Sequence, residues 1–160
     1  MAELFEWNDD YNVGVADIDE QHLELVALIN QLHDAIRSHK ASKQVRRTLD
    51  ELAEYTRTHF AIEERLMRES NYPDYESHRS YHEALIDQIR ALQAKLDGGE
   101  ASITFELLHF LRTWLIRHIC DVDKQFGAYF IAHGSRPEWM VEAHAAMTSR
   151  RWWQFWKARA

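Results

Sequence analysis

The chain has 160 residues, 46% of them hydrophobic, a formal net charge of −7 and a single cysteine. That size fits one globular domain around one core, and the acidic balance excludes a nucleic-acid binder, because no basic face is available to neutralise phosphates. Cys120 alone excludes an intrachain disulfide; with no secretory leader and no apolar run long enough to span a bilayer, residence in the cytoplasm is the expectation.

Residues 1–16 read as an aromatic, acidic arm ending in Val13, Gly14, Val15 and Ala16. Asp17 followed by Glu20 predicts a capping box opening a first helix that runs to about His39. Its apolar stripe is Ile18, His22, Leu25, Ile29, Leu32 and Ile36. A second helix is expected from about Lys43 to Glu69, with the stripe Val45, Leu49, Leu52, Thr56, His59, Glu63 and Leu66. Asn71-Tyr72-Pro73-Asp74 is a turn, since proline restricts itself and its predecessor. The third helix, about Asp74 to Leu96, carries His78, His82, Leu85, Ile89, Leu92 and Leu96 on one face, and Asp97-Gly98-Gly99 ends it. The fourth, about Ser102 to Ala132, carries Leu108, Leu111, Leu115 and His118, with Gly134 as its C-terminal cap. Ser135 and Glu138 read as a second capping box, with Pro137 in the first turn of a fifth helix. Three-and-four spacing throughout, with no strand pattern, makes the protein all-α. The predicted architecture is an antiparallel up-down-up-down four-helix bundle over residues 1–134, with the arm at its start and an amphipathic Trp- and Arg-rich helical tail over 135–160.

Five histidines and two carboxylates stand in positions those stripes reserve for apolar side chains: His22, His59, Glu63, His78, His82, His118 and Asp123. An unpaired buried imidazole or carboxylate costs several kcal/mol, so seven of them call for a common partner, and metal is the obvious one. His59 and Glu63, like His78 and His82, are four residues apart and share a helix face. Imidazole suits iron, copper, zinc or nickel, and a carboxylate can bridge two ions. Five nitrogens exceed what one tetrahedral zinc uses; with two bridging carboxylates they suit a pair of metals. His118 and Asp123 are five apart and would fall on different faces of an ideal helix. After His118 the stripe resumes one residue out of phase at Asp123, Phe126 and Phe130, so a single π-bulge between the two ligands is expected.

Together these positions resemble the bacteriohemerythrins. The family's opening is matched by Trp7, Val13-Gly14, Ile18-Asp19, Gln21-His22 and Leu25; its second signature by His59-Phe60, Glu63-Glu64 and Met67. Tyr72-Pro73 with His78 and His82 match the third; Trp114-Leu115, His118-Ile119 and Asp123-Lys124 match the fourth. The resemblance covers about residues 5–132. It implies a non-haem centre of two iron ions with a bridging oxo or hydroxo group, binding dioxygen reversibly as a carrier, store or sensor. By the same resemblance His78, His82 and His118 would complete one iron's shell, His22 and His59 would hold the second and leave it an open position, and Glu63 and Asp123 would bridge. Trp114, Ile119 and Cys120 are candidates to line a gas pocket beside it, with core packing as the plain alternative. Cys120 stands where the family more often has an aliphatic side chain.

The remaining histidines, His33, His39, His109, His133 and His144, fall off the stripes and read as surface or interface residues. Glu64 and Asp19 flank ligands and are expected to face outward or support them rather than coordinate. A histidine-rich centre stabilises high-valent iron poorly, which favours binding dioxygen over cleaving it, so no enzyme is expected beyond a weak peroxidase-like side reaction. Two alternatives remain. One is a detoxifying reaction on peroxide or nitric oxide at the same centre. The other is a ferritin-like oxidase, which needs two Glu-x-x-His motifs, whereas this chain has only Glu106 with His109, off the ligand set. In the tail, Trp139, Ala143, Ala146, Trp153 and Trp156 suggest one apolar face, with Arg150, Arg151, Lys157 and Arg159 near its end. Packing on the bundle and docking to a protein partner or membrane surface through residues 139–159 both fit that pattern.

Overall fold

The structure, a computed structural model, describes residues 3–99 and 104–149, and among them it holds helices and no strand. Four long helical rods form the bundle. They are α1 (Ala16–Arg37), α2 (Ser42–Glu69), α3 (Tyr75–Asp97) and a composite rod in which α4 (Phe105–His118) runs through a π turn (Ile119–Asp123) into α5 (Lys124–His133). A last helix, α6 (Trp139–Thr148), follows a short connection. Leu25, Ile29, Leu32, Leu49, Leu52, Leu66, Leu85, Ile89, Leu108, Leu111 and Leu115 are all buried, so the predicted stripes do face one another. His22 lies early in α1 and His78 early in α3, while Glu63 lies late in α2 and His118 at the end of α4. Their convergence requires alternate rods to run in opposite directions.

The short connections close by left-handed single residues. His39 (φ 50°) and Asn71 (φ 56°) follow α1 and α2. The next amides bond back five residues, Lys40 N to Ala35 O at 3.0 Å and Tyr72 N to Met67 O at 2.9 Å, which satisfies carbonyls the helices leave open.

Neither predicted capping box forms. Val15 is the N-cap of α1 and makes no side-chain cap bond. Asp17 lies inside the first turn, where it is buried and takes both guanidinium contacts of Arg136, at 2.8 and 3.1 Å. The capping work falls to the neighbouring carboxylate: Asp19 accepts from Val13 N at 2.7 Å and Gly14 N at 3.3 Å, folding the arm onto the helix start. Gly14 sits at φ +90°, open to glycine and strained for other residues. The N-cap of α6 is Glu138, again without a cap bond. Thr104 caps α4 by accepting from Leu107 N at 3.2 Å, and Ser102, the expected start, lies outside the described residues. Gly134 does end α5, its N–H bonded to Phe130 O, but in an extended conformation.

The arm is held by its aromatic residues. Phe5 is fully buried, and its backbone N–H and C=O are both bonded by the Asn30 side chain, at 3.0 and 2.8 Å. Val13 presses against α5 so closely that a Cβ on Gly127 would meet its carbonyl oxygen at 2.3 Å. Of the expected docking element, residues 139–148 spend their apolar face on the bundle: Trp139, Met140, Ala143 and Met147 are buried. Residues 150–160, with the remaining tryptophans and the basic cluster, lie outside the described residues. No helix among the described residues is long and apolar enough to cross a membrane.

Candidate metal centre

Seven buried polar side chains meet in one layer of the bundle: His22 from α1, His59 and Glu63 from α2, His78 and His82 from α3, His118 from α4 and Asp123 from the π turn. The π turn makes the last pairing possible. Lys124 N–H reaches back to Ile119 O, one residue beyond the α-helical partner. The extra residue is absorbed there, and Asp123 Oδ1 comes to 3.0 Å from His118 Nε2. Gln125 steadies the turn by donating its side-chain amide to Asp121 O at 2.6 Å. The phase slip read in the sequence is therefore a π turn in the structure.

The imidazoles fall into two groups joined by the carboxylates. His78, His82 and His118 have ring centroids 4.7 to 5.0 Å apart, and His22 and His59 form a pair at 4.9 Å. Asp123 spans the groups: Oδ1 faces His78 at 2.9 Å and His118 at 3.0 Å, while Oδ2 faces His22 at 3.1 Å. Glu63 does the same, with Oε1 3.8 Å from His78 and Oε2 3.6 Å from His59 and 3.5 Å from His82. Five of these residues, Glu63, His78, His82, His118 and Asp123, can bring ligand atoms within 4.8 Å of one another.

Hydrogen bonds on the outer edges of two rings fix which nitrogens point inward. His82 Nδ1 is 2.9 Å from Glu64 Oε1 and His59 Nδ1 is 2.7 Å from Gln21 Oε1. Both partners are acceptors, so each Nδ1 carries the hydrogen and each Nε2 turns a lone pair into the cluster. Those lone pairs face other electron-rich atoms: His82 Nε2 is 3.0 Å from His118 Nε2, and His59 Nε2 looks toward Glu63. Among the described residues, both oxygens of Glu63 and Asp123 and both ring nitrogens of His22 and His78 lack a hydrogen-bond partner. The facing lone pairs repel one another, and cations between the donors turn those contacts favourable.

The protonation tendencies agree. Burial, then the neighbouring imidazoles, push His59 and His82 well below the usual histidine range, and burial lowers His78 as well. Burial and then the Asp123 carboxylate push Glu63 well above its range. For Asp123 burial acts upward too, but the three close imidazoles, led by His118, outweigh it and hold the carboxyl well below its range. Neutral imidazoles are the form that binds metal.

Glu64, expected to face outward or to support a neighbour, takes the supporting role, and Gln21 is the support the sequence left unnamed; each orients an imidazole of the cluster, as metal sites generally require. Phe60 stacks on His82 at 3.7 Å and Trp114 on His118 at 4.5 Å. One layer further along the bundle lies an apolar cavity of about 30 Å³, lined by Leu25, Thr56, Phe60, Leu85, Trp114 and Leu115 among others. Thr56 turns its hydroxyl to Leu52 O, leaving its methyl to the cavity. Of the three expected pocket residues only Trp114 lines it. Ile119 is fully buried elsewhere, and Cys120, on the outer side of the π turn, is half-buried and outside the lining. Glu106 and His109 are exposed, away from the cluster.

A domain model described as the hemerythrin HHE cation-binding domain matches residues 13–130. The chain belongs to the hemerythrin family. A bacteriohemerythrin of Stenotrophomonas maltophilia is 36% identical over 130 residues, covering 81% of this chain and 84% of that relative. One from Methylococcus capsulatus is 36% identical over 116 residues, 72% of this chain and 86% of the relative. Among solved structures, wild-type hemerythrin superposes with a TM-score of 0.75 at 32% identity, covering 78% of this chain and 96% of that one. A leucine-to-alanine variant of hemerythrin gives 0.77 at 30% identity. Hemerythrins carry a di-iron centre and are oxygen-binding proteins rather than enzymes, and the His, Glu and Asp cluster here suits that centre. The hemerythrin match ends before α6, which with its connection lies outside it.

Proposed function

We propose that this chain binds dioxygen reversibly at a di-iron centre held by all seven clustered residues. In this reading His78, His82 and His118 would hold one iron, His22 and His59 the other, and Glu63 and Asp123 would serve both. The observation that carries it is the unequal division of the imidazoles, three against two, across carboxylates that face both groups. The two-histidine side is one protein ligand short, which leaves room for a small exogenous molecule. An iron pair held there would supply the two-electron redox chemistry that reversible dioxygen binding needs.

The chain's own residues do the rest. Gln21 and Glu64 hold the His59 and His82 rings in the tautomer that presents Nε2. The apolar cavity would admit a small nonpolar gas and presents no polar surface, so it keeps water and mobile protons away from the centre. A carrier, a store and a sensor all use this behaviour.

The test is anaerobic reduction of the iron-loaded protein, exposure to oxygen, then its removal, followed by visible absorption. Repeated return of one pair of spectra is expected. Bleaching in the first cycle with consumption of peroxide would replace this reading by the detoxifying one.

A further inference from the structure

Two polar links lead outward from the cluster, and they end differently. On the three-histidine side, Glu64 receives His82 and faces an open groove of about 470 Å³ between α2 and α3, shared with Arg57, Glu83 and Arg90. On the two-histidine side, Gln21 receives His59 and lies at the floor of a smaller chamber of about 180 Å³. Its walls are Asp17, Glu20 and Glu24 of α1 and Tyr55 of α2, and α6 covers it with His144, Met147 and Thr148. Gln21 is 3% exposed, and its amide nitrogen has no hydrogen-bond partner among the described residues. With its oxygen committed to His59, that NH2 group is a buried donor beside a polar space large enough for several waters.

The lid is fastened to both α1 and α2. Arg136 grips Asp17 through two nitrogens, at 2.8 and 3.1 Å, and His144 Nδ1 sits 3.4 Å from Asp17 and 3.2 Å from Glu20. Where α6 begins, Trp139 donates to Glu69 at 2.8 Å, with the Arg65 guanidinium 4.1 Å from its ring centre. Met140 and Ala143 are fully buried between these ties. The ties run to the start of α1 and the end of α2, the two helices that carry His22, His59 and Glu63.

We propose that α6 is a clasp that separates bulk water from the Gln21–His59 edge of the metal centre, so that its release exposes the two-histidine side. The inference rests on the reading of His59 as a ligand. It leaves the centre with one solvent-facing support, Glu64, and one covered support, Gln21. Exchange of protons, water or iron on the two-histidine side then waits on local opening of a single short helix.

Two full-length variants test it. Arg136→Ala with His144→Ala cuts exposed ties, and Ala143→Arg denies α6 its seat. Iron transfer to an external chelator, measured on iron-loaded protein, is expected to speed up about fivefold or more in both, the factor that roughly 1 kcal/mol of lost closure produces. Leu49→Ala weakens the far end of the bundle and should keep the parental rate at equal loss of melting temperature. Parental rates in the clasp variants, or equal acceleration by Leu49→Ala, would overturn the clasp. Hydrogen exchange on the metal-free chain gives a second reading: the amides of residues 17–24 should exchange faster in both clasp variants, and unchanged exchange sinks the idea independently. A chain that takes up no iron defeats the assignment of the centre, and the clasp then stands or falls on exchange alone.

Discussion

Glu63 and Asp123 occupy the same buried layer, yet their carboxyl groups are pushed in opposite directions. Three close imidazoles favour the Asp123 anion, while Glu63 meets its nearest imidazoles only at 3.5 to 3.8 Å and faces the Asp123 charge as well. In the metal-free protein Glu63 is thus the costly member. Glu63→Gln should stabilise that form by roughly 1–4 kcal/mol in urea unfolding near neutral pH, and should take up fewer than two irons per chain. Loss of metal without a gain in stability would contradict this account. Acid acts through the imidazoles. His59, His78 and His82 stay neutral in the fold, whereas in the unfolded chain they take up protons below pH of about 6.5. The stability they contribute is present above that value and is lost as pH falls. Glu63 works in the opposite sense, one raised group against three lowered ones. The urea midpoint of the metal-free protein should therefore fall between pH 7 and 5.

At the scale of single elements, the π turn decides whether the fourth rod can supply two ligands. Deleting Cys120 leaves His118 and Asp123 four residues apart, a spacing that a regular α repeat keeps on one face. The variant should remain helical by circular dichroism and still bind two irons, whereas inserting an alanine after Cys120 should cut loading below two; full loading of the insertion variant would show that the phase of the rod is not what pairs the two side chains. This turn was legible in advance because hydrophobic phase is a long-range property of a rod, and a slip between Leu115 and Phe126 has few other causes. The seven clustered polar side chains were legible for the same reason, as polar intrusions in apolar stripes. Helix starts were not. Asp17 has the look of a cap, but its partner is Arg136, 119 positions away, and no local pattern encodes that competition. Gln21 and Glu64 stood in plain view beside ligands, but which ring each supports depends on how α1 meets α2 and α2 meets α3. The clasp was only half legible. The apolar face of α6 is visible as Trp139 and Ala143, whereas the chamber beneath it exists only after folding.

For the molecule as a whole, the proposed dioxygen reading makes the small apolar cavity beside the histidine layer the gas's way in. Leu111→Phe should fill much of it, slowing dioxygen association in stopped-flow mixing while iron content stays the same. An unchanged rate would mean that the gas enters by another way. The polar layer is also confined to one end of the bundle. From Leu25, Leu52, Leu85 and Leu115 onward, the rods meet through side chains that need no ion. That dry half can assemble first and hold the backbones in register while the polar end waits. Maturation of the protein is then a matter of docking ions into an already erected frame, so iron scarcity would accumulate folded, fillable chains rather than debris.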